Sequence, residues 1–215
     1  MTHTLHRDGD AASFGDDYIL LAIPAKGHND EGAVEKLRTF LRICAAHKPV
    51  NMGNGDLGAY YPSQGSAMPD YEKVIASVSK PNSVAAEFDS KEKLVAALKE
   101  VIKADLGISI NLSNSVEAAH QCCRETGIKR HSVEYSLGFM DRHNHLPNSQ
   151  VLELSTMCGH GMVSHNLVEK MIAYVKENDR TPEEAAAYLA CFCPCGVYNP
   201  ARAKRLLEEA RTRQH

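Results

Sequence analysis

The sequence predicts an α+β fold, a mixed sheet with ferredoxin-like βαββαβ order, followed by a helical C-terminal segment that bears cysteines. Three observations lead to that reading. Short apolar runs alternate with amphipathic stretches of helical period up to about residue 140. Beyond it only helical patterns and turn signals remain. The composition, 43% hydrophobic and 24% charged, is that of a soluble globular chain of 215 residues. The expected organisation is a flexible tail (1–17), an α+β domain (18–140) and a helical segment (141–215) that carries a Cys/His site.

The tail is polar throughout, which predicts mobility. "YILLAIPA" (18–25) suits a buried strand. Asp30 is the expected N-cap of a helix whose stripe is Val34, Leu37, Phe40, Leu41 and Cys44. Residues 50–70, rich in Gly, Asn, Pro and Ser, read as a long substrate or lid loop. Their "GNGDLG" lacks the spacing of a dinucleotide fingerprint. "KVIASVS" (73–79) and "SVAAEF" (83–88), joined by "KPN", predict a hairpin.

An amphipathic helix follows, with Leu94, Val95, Leu98, Val101 and Ile102 on one face and Gly107 at its end. "ISINLS" is a strand. "NSVEAAHQCCRETG" is a helix capped by Asn114 and Glu117 and stopped by Gly127. "HSVEYSLGF" (131–139) alternates like a further strand. In the helical segment, Val163, Leu167, Met171 and Val175 share a face. Thr181, Pro182 and Glu184 form a capping box with proline at the first helical position. Asn199 and Pro200 start the last helix.

Several classes of function are disfavoured. A net charge of −3 and the lack of tryptophan argue against a nucleic-acid partner. No apolar run approaches the roughly 20 residues of a spanning helix, and the N-terminal residues show no apolar leader. A cytoplasmic location without membrane contact is therefore expected. Seven cysteines, an odd number, favour metal or redox chemistry over a disulfide framework.

The chemistry concentrates in "MCGHG" and "CFCPCGVYNPAR". Cys158 precedes one helix; Cys193 and Cys195 precede another. A glycine follows Cys158 and Cys195 directly. Glycine permits positive φ, which turns backbone N–H groups toward the sulfur, and a helix start adds positive potential. Both stabilise thiolates. Cys193 and Cys195 point the same way along an extended chain, with Cα atoms roughly 6.5 Å apart, and Pro194 stiffens the link. That pair suits neighbouring irons of one cube better than a zinc knuckle, which uses two to four intervening residues.

Cys191 would lie roughly 13 Å from Cys195 in an extended run, so a turn at Phe192 is needed to make it the fourth ligand. His160 competes for that place. His143 and His145, two apart in "DRHNHLP", are candidate acid/base groups or ligands. His28 follows the first strand, and His165 opens a helix. Cys44 reads as a core residue, and Cys122 and Cys123 diverge on their helix.

"MCGHG" is similar to the motif around one catalytic cysteine of proline racemases and hydroxyproline epimerases. "PCG" followed by "AR" resembles the motif around their second. The resemblance implies two thiols, Cys158 and Cys195, acting as acid and base on opposite faces of a substrate α-carbon. "CPC" resembles part of the cluster-binding pattern of ferredoxin–thioredoxin reductases. Both likenesses are confined to these residues.

The expected function is a 4Fe-4S protein, with Cys158, Cys191, Cys193 and Cys195 as ligands. It would act on a small molecule by redox or Lewis-acid chemistry, or serve a redox partner protein. The alternatives are a cofactor-free cysteine isomerase, a structural zinc protein and a non-catalytic electron carrier. The oligomeric state stays open.

Overall fold

The computed structural model describes residues 3–56, 69–140 and 145–212. The fold is mixed α+β. Four strands form one antiparallel sheet: β1 (Tyr18–Ile23), β2 (Asn51–Asn54), β3 (Val84–Phe88) and β4 (Ser109–Ser113), in the order β2-β3-β1-β4. Register pairs Leu20 with Ala86 on one side and with Leu112 on the other, and Met52 with Ala86. The described helices are α1 (Ala33–Ala46), α2 (Tyr71–Ser77), α3 (Lys91–Ala104), α4 (Val116–Thr126), α5 (Ser149–Thr156), α6 (His165–Lys176), α7 (Pro182–Ala190) and α8 (Pro200–Thr212). No helix among the described residues is long and apolar enough to cross a membrane.

Strand alternation divides the core. Tyr18, Leu20, Ala22, Met52, Val84, Ala86 and Phe88 face α1 and α3, where Leu37, Phe40, Leu41, Cys44, Leu94 and Leu98 are buried. Ile19, Leu21 and Ala85 face the other way and share a second core with Leu154, Val168, Met171, Leu189, Ala203 and Leu207 of the C-terminal helices. Both sheet faces are therefore covered, which is why β1 reads as an unbroken apolar run. The cysteine loops lie on this second side.

Several elements differ from the sequence expectation. Residues 73–79 are not a strand. They fall mainly in α2, because Asp70 caps it by accepting from the Lys73 N–H and Val74, Ile75 and Val78 are buried at helical spacing. The second strand is β2, inside the stretch expected as a loop. It has no β-branched residue and exists through its pairing with β3, from Asn51 opposite Glu87 to Asn54 opposite Val84. The rest of that expected lid, residues 57–68, lies outside the described residues. Residues 131–139 form no strand. The helix α5 lacked a separate signal in the sequence reading.

Caps shifted by a residue or two. The N-cap of α1 is Gly32, at φ 66°, while Asp30 accepts from the Gly27 N–H at 3.0 Å. Ser115, not Asn114, caps α4. The Asn114 amide instead donates to the carbonyls of Phe14 and Asp17 at 2.9 and 2.6 Å. The capping box of Thr181 and Glu184 is formed, with Pro182 at the first position. Asn199 Oδ1 accepts from the Arg202 N–H at 2.9 Å and starts α8.

Candidate thiolate site

Two loops on the sheet's second face bring three cysteines together. The first follows α5. Gly159 and Gly161 adopt φ near 70°, and the backbone N–H groups of His160 and Met162 donate to the Cys158 sulfur. The second follows α7. Gly196 has φ 72°, and the Val197 N–H faces the sulfurs of both Cys193 and Cys195. Each loop thus uses one device. A Cys-Gly pair in left-handed conformation turns the next N–H back onto the sulfur.

The second loop is seated on β2 by two glycines. A Cβ on Gly53 would come within 2.4 Å of the backbone of Cys195 and Gly196; one on Gly196 would come within 2.3 Å of the backbone of Met52 and Gly53. Strand and loop touch main chain to main chain, an approach open only to glycine on both sides.

The Sγ atoms of Cys193 and Cys195 are 3.7 Å apart, and Cys195 Sγ is 3.7 Å from His160 Nδ1. Cys158 and Cys193 are also hydrogen-bonded. Cys158 and Cys193 are at most 1% exposed, Cys195 is 6% exposed, and His160 stands at the surface. The thiols form a graded chain. Donation to Cys193, then burial, raises Cys158. Cys193 is lowered by accepting from Cys158, but its own bond to Cys195 and its burial push it up to about 12. The hydrogen bond with Cys193, in which either sulfur can be the donor, holds Cys195 below the ordinary thiol value despite burial. Cys195 is the first of the three to ionise, and it is the one beside the imidazole.

The other candidates stand apart. Cys191 ends α7 with its thiol donating to the Ala187 carbonyl at 3.2 Å, and it is exposed. The chain does turn at Phe192, but it does not carry Cys191 inward. His145 is exposed, and His143 lies outside the described residues. His28 and His165 are exposed. Cys44 is a core residue whose thiol burial raises. Cys122 and Cys123 are both buried.

Residues 4–17, expected as a tail, pack through their charges. Arg7 and Arg202 both bind Asp17 Oδ2, at 2.5 and 2.8 Å, and all three side chains are almost fully buried. Arg202 also donates to Ser13, Glu153 and the Asp8 carbonyl and stacks 4.4 Å from the centre of the Phe14 ring. Glu87, fully buried on β3, accepts from Asn199 Nδ2 at 3.2 Å. Burial, and then the Asp17 charge, raise Glu87 well above the carboxyl range. Burial works against ionised Asp17 too, but Arg7 and Arg202 outweigh it and hold Asp17 low. Glu87 is therefore the protonated member and hydrogen-bonds to Asp17. The cluster lies within electrostatic reach of Cys193, which Arg7 and Tyr198 both sense. Sequence reasoning missed it. The available signals were Glu87 inside an apolar strand and Arg202 on the same helical stripe as Leu206 and Ala210.

Among the described residues, no group of three or more His, Cys, Asp or Glu side chains is placed to hold a metal ion. The chain matches no protein-family model, no curated protein and no solved structure.

Proposed function

We propose that Cys158, Cys193 and Cys195 bind a soft metal ion as thiolates, with His160 as the fourth donor on the solvent side. The observation that carries this reading is the 3.7 Å spacing from Cys193 Sγ to Cys195 Sγ and from there to His160 Nδ1. A tetrahedral ion with metal–sulfur bonds of about 2.3 Å spaces its ligand sulfurs by roughly 3.8 Å. Thiolates on different irons of a cube stand wider apart, because metal–sulfide bonds lie between them. The spacing therefore favours a single ion of the zinc type over the 4Fe-4S cluster. Backbone N–H donors in both Cys-Gly turns and the nearby guanidinium of Arg7 would stabilise the thiolate charge. His160 is exposed. Its replacement by a substrate oxygen would give Lewis-acid chemistry on a small molecule.

A second reading rests on the protonation order. Cys195 as base and Cys158 as acid would suit a metal-free isomerase. It is less favoured, because the two thiols are joined through Cys193 instead of facing each other across a substrate gap. The sheet supports a ferredoxin-like assignment: β1-α1-β2 and β3-α3-β4 interleave, each enclosing a strand of the other. Free thiols throughout support a reducing, cytoplasmic setting.

Metal and sulfide analysis of protein purified without oxygen tests the reading. We expect about one zinc-type ion per chain without acid-labile sulfide. Iron with matching sulfide would restore the cluster. Metal-free protein that exchanges a substrate α-proton with solvent would establish the thiol isomerase. Cys158→Ser, Cys193→Ser and Cys195→Ser should each lose most of the metal, whereas Cys191→Ser and Cys44→Ser should retain it.

A further inference from the structure

Residues 131–140 leave the globule. The alternation of Val133, Tyr135 and Leu137 with Ser132, Glu134 and Ser136 calls for a strand with one apolar face. Yet the segment forms neither helix nor strand, and among the described residues its backbone makes no backbone–backbone hydrogen bond. Val133, Tyr135, Leu137 and Met140 are 49, 66, 86 and 87% exposed. They are four of the nine large hydrophobic side chains exposed among the described residues, so the apolar surface is concentrated and not scattered.

The molecule also carries an open sheet edge. In the order β2-β3-β1-β4, β4 pairs with β1 alone, and its five residues are all half-buried. The other edge strand, β2, is packed on by the Cys195–Gly196 loop and by α2. An unpaired strand edge is a template for another strand.

We propose that 131–140 is an exchange arm that adds as a fifth strand to β4 of a second copy of this chain, reciprocally, giving a two-fold dimer. Each copy supplies one arm and one edge, so the exchange is satisfied reciprocally in both copies and stops at two. At these exposures the four side chains present roughly 600 Å² per copy. Two arms, with the surface they cover, therefore reach the about 1,200–2,000 Å² that stable interfaces bury. The inference does not depend on the metal reading, since the arm contains none of the thiol-site residues.

Sedimentation analysis across a concentration series, with hydrogen–deuterium exchange on the same samples, tests the proposal. The wild-type protein should be a dimer in which amides of both 133–137 and 109–113 exchange slowly. Tyr135→Glu combined with Leu137→Glu should give a monomer with unchanged far-ultraviolet circular dichroism and metal content, and β4 amides that exchange faster. A wild-type monomer at all concentrations overturns the proposal and leaves the arm for a different protein. A dimer that survives the double substitution, or β4 amides indifferent to it, overturns it equally.

Discussion

Glu87 and Asp17 show how one burial site sets two carboxyls apart. Both are fully buried and both lie close to Arg7 and Arg202. Asp17 takes the guanidinium contacts and stays ionised; Glu87 keeps its proton. Because the folded state holds the Glu87 proton above the ordinary carboxyl value, that residue's contribution is complete below about pH 4.5 and declines as pH rises toward its folded value. Asp17 acts oppositely: its contribution is present above about pH 4 and is lost as pH falls through its depressed folded value. We expect Glu87→Gln, whose amide can donate to Asp17 as the protonated acid does, to fold and to flatten the decline in stability above pH 4.5. Denaturant melts from pH 4 to pH 9 measure this. An unchanged slope would show that Glu87 is ionised in the fold. Little of this was legible beforehand. A glutamate in "VAAEF" and an arginine in "ARAKRLL" signal buried charge only when their partners are known, and those partners lie far off in sequence, as Asn199 does from Glu87 and Asp17 from Arg202.

At the scale of elements, the contact of Gly53 with Gly196 fixes where the thiols sit. Gly53→Ala and Gly196→Ala each force backbone apart from backbone, with no flexible side chain to yield. Each should cost on the order of 2–3 kcal/mol and release the Cys193–Cys195 loop, which chemical denaturation and metal content would report together. Full metal retention in Gly53→Ala would show that the loop does not rest on β2. Elements whose signals are local were readable: the stripe of α1, that of α3 except for Ile102, which is exposed, the capping box of α7, and the Asn199 start of α8. The Cys-Gly turns were also readable, because glycine beside a thiol states both a backbone angle and a chemistry. β2 was not, because "NMGN" has no strand propensity and is made a strand by β3. The outward turn of Cys191 was equally hidden, since it depends on how α7 ends.

At the scale of the molecule, the buried ions tie residues 7–17 to α8 across the second core. Arg202 binds Asp17, Ser13, Glu153 and the Asp8 carbonyl. Removing it leaves uncompensated charge among groups that exclude water. Arg202→Ala should destabilise by about 3–5 kcal/mol, and the loss should appear as a single cooperative transition because both cores share the sheet. Two separated transitions would indicate that the C-terminal helices melt independently of the strands.

The same ionic tie imposes an order in time. Arg7, Asp17 and Glu87 leave the ribosome long before Arg202 exists. At about 5–20 residues per second, the interval between making Arg7 and Arg202 is roughly 10–40 s. During it Asp17 has half of its final cationic company, and one sheet face waits for helices still to be synthesised. The nascent chain must hold its strands in a provisional state, with Cys158 unburied, until α8 arrives. Assembly of the thiol site thus waits for α8, and any ion bound there is captured only after Arg202 has been made.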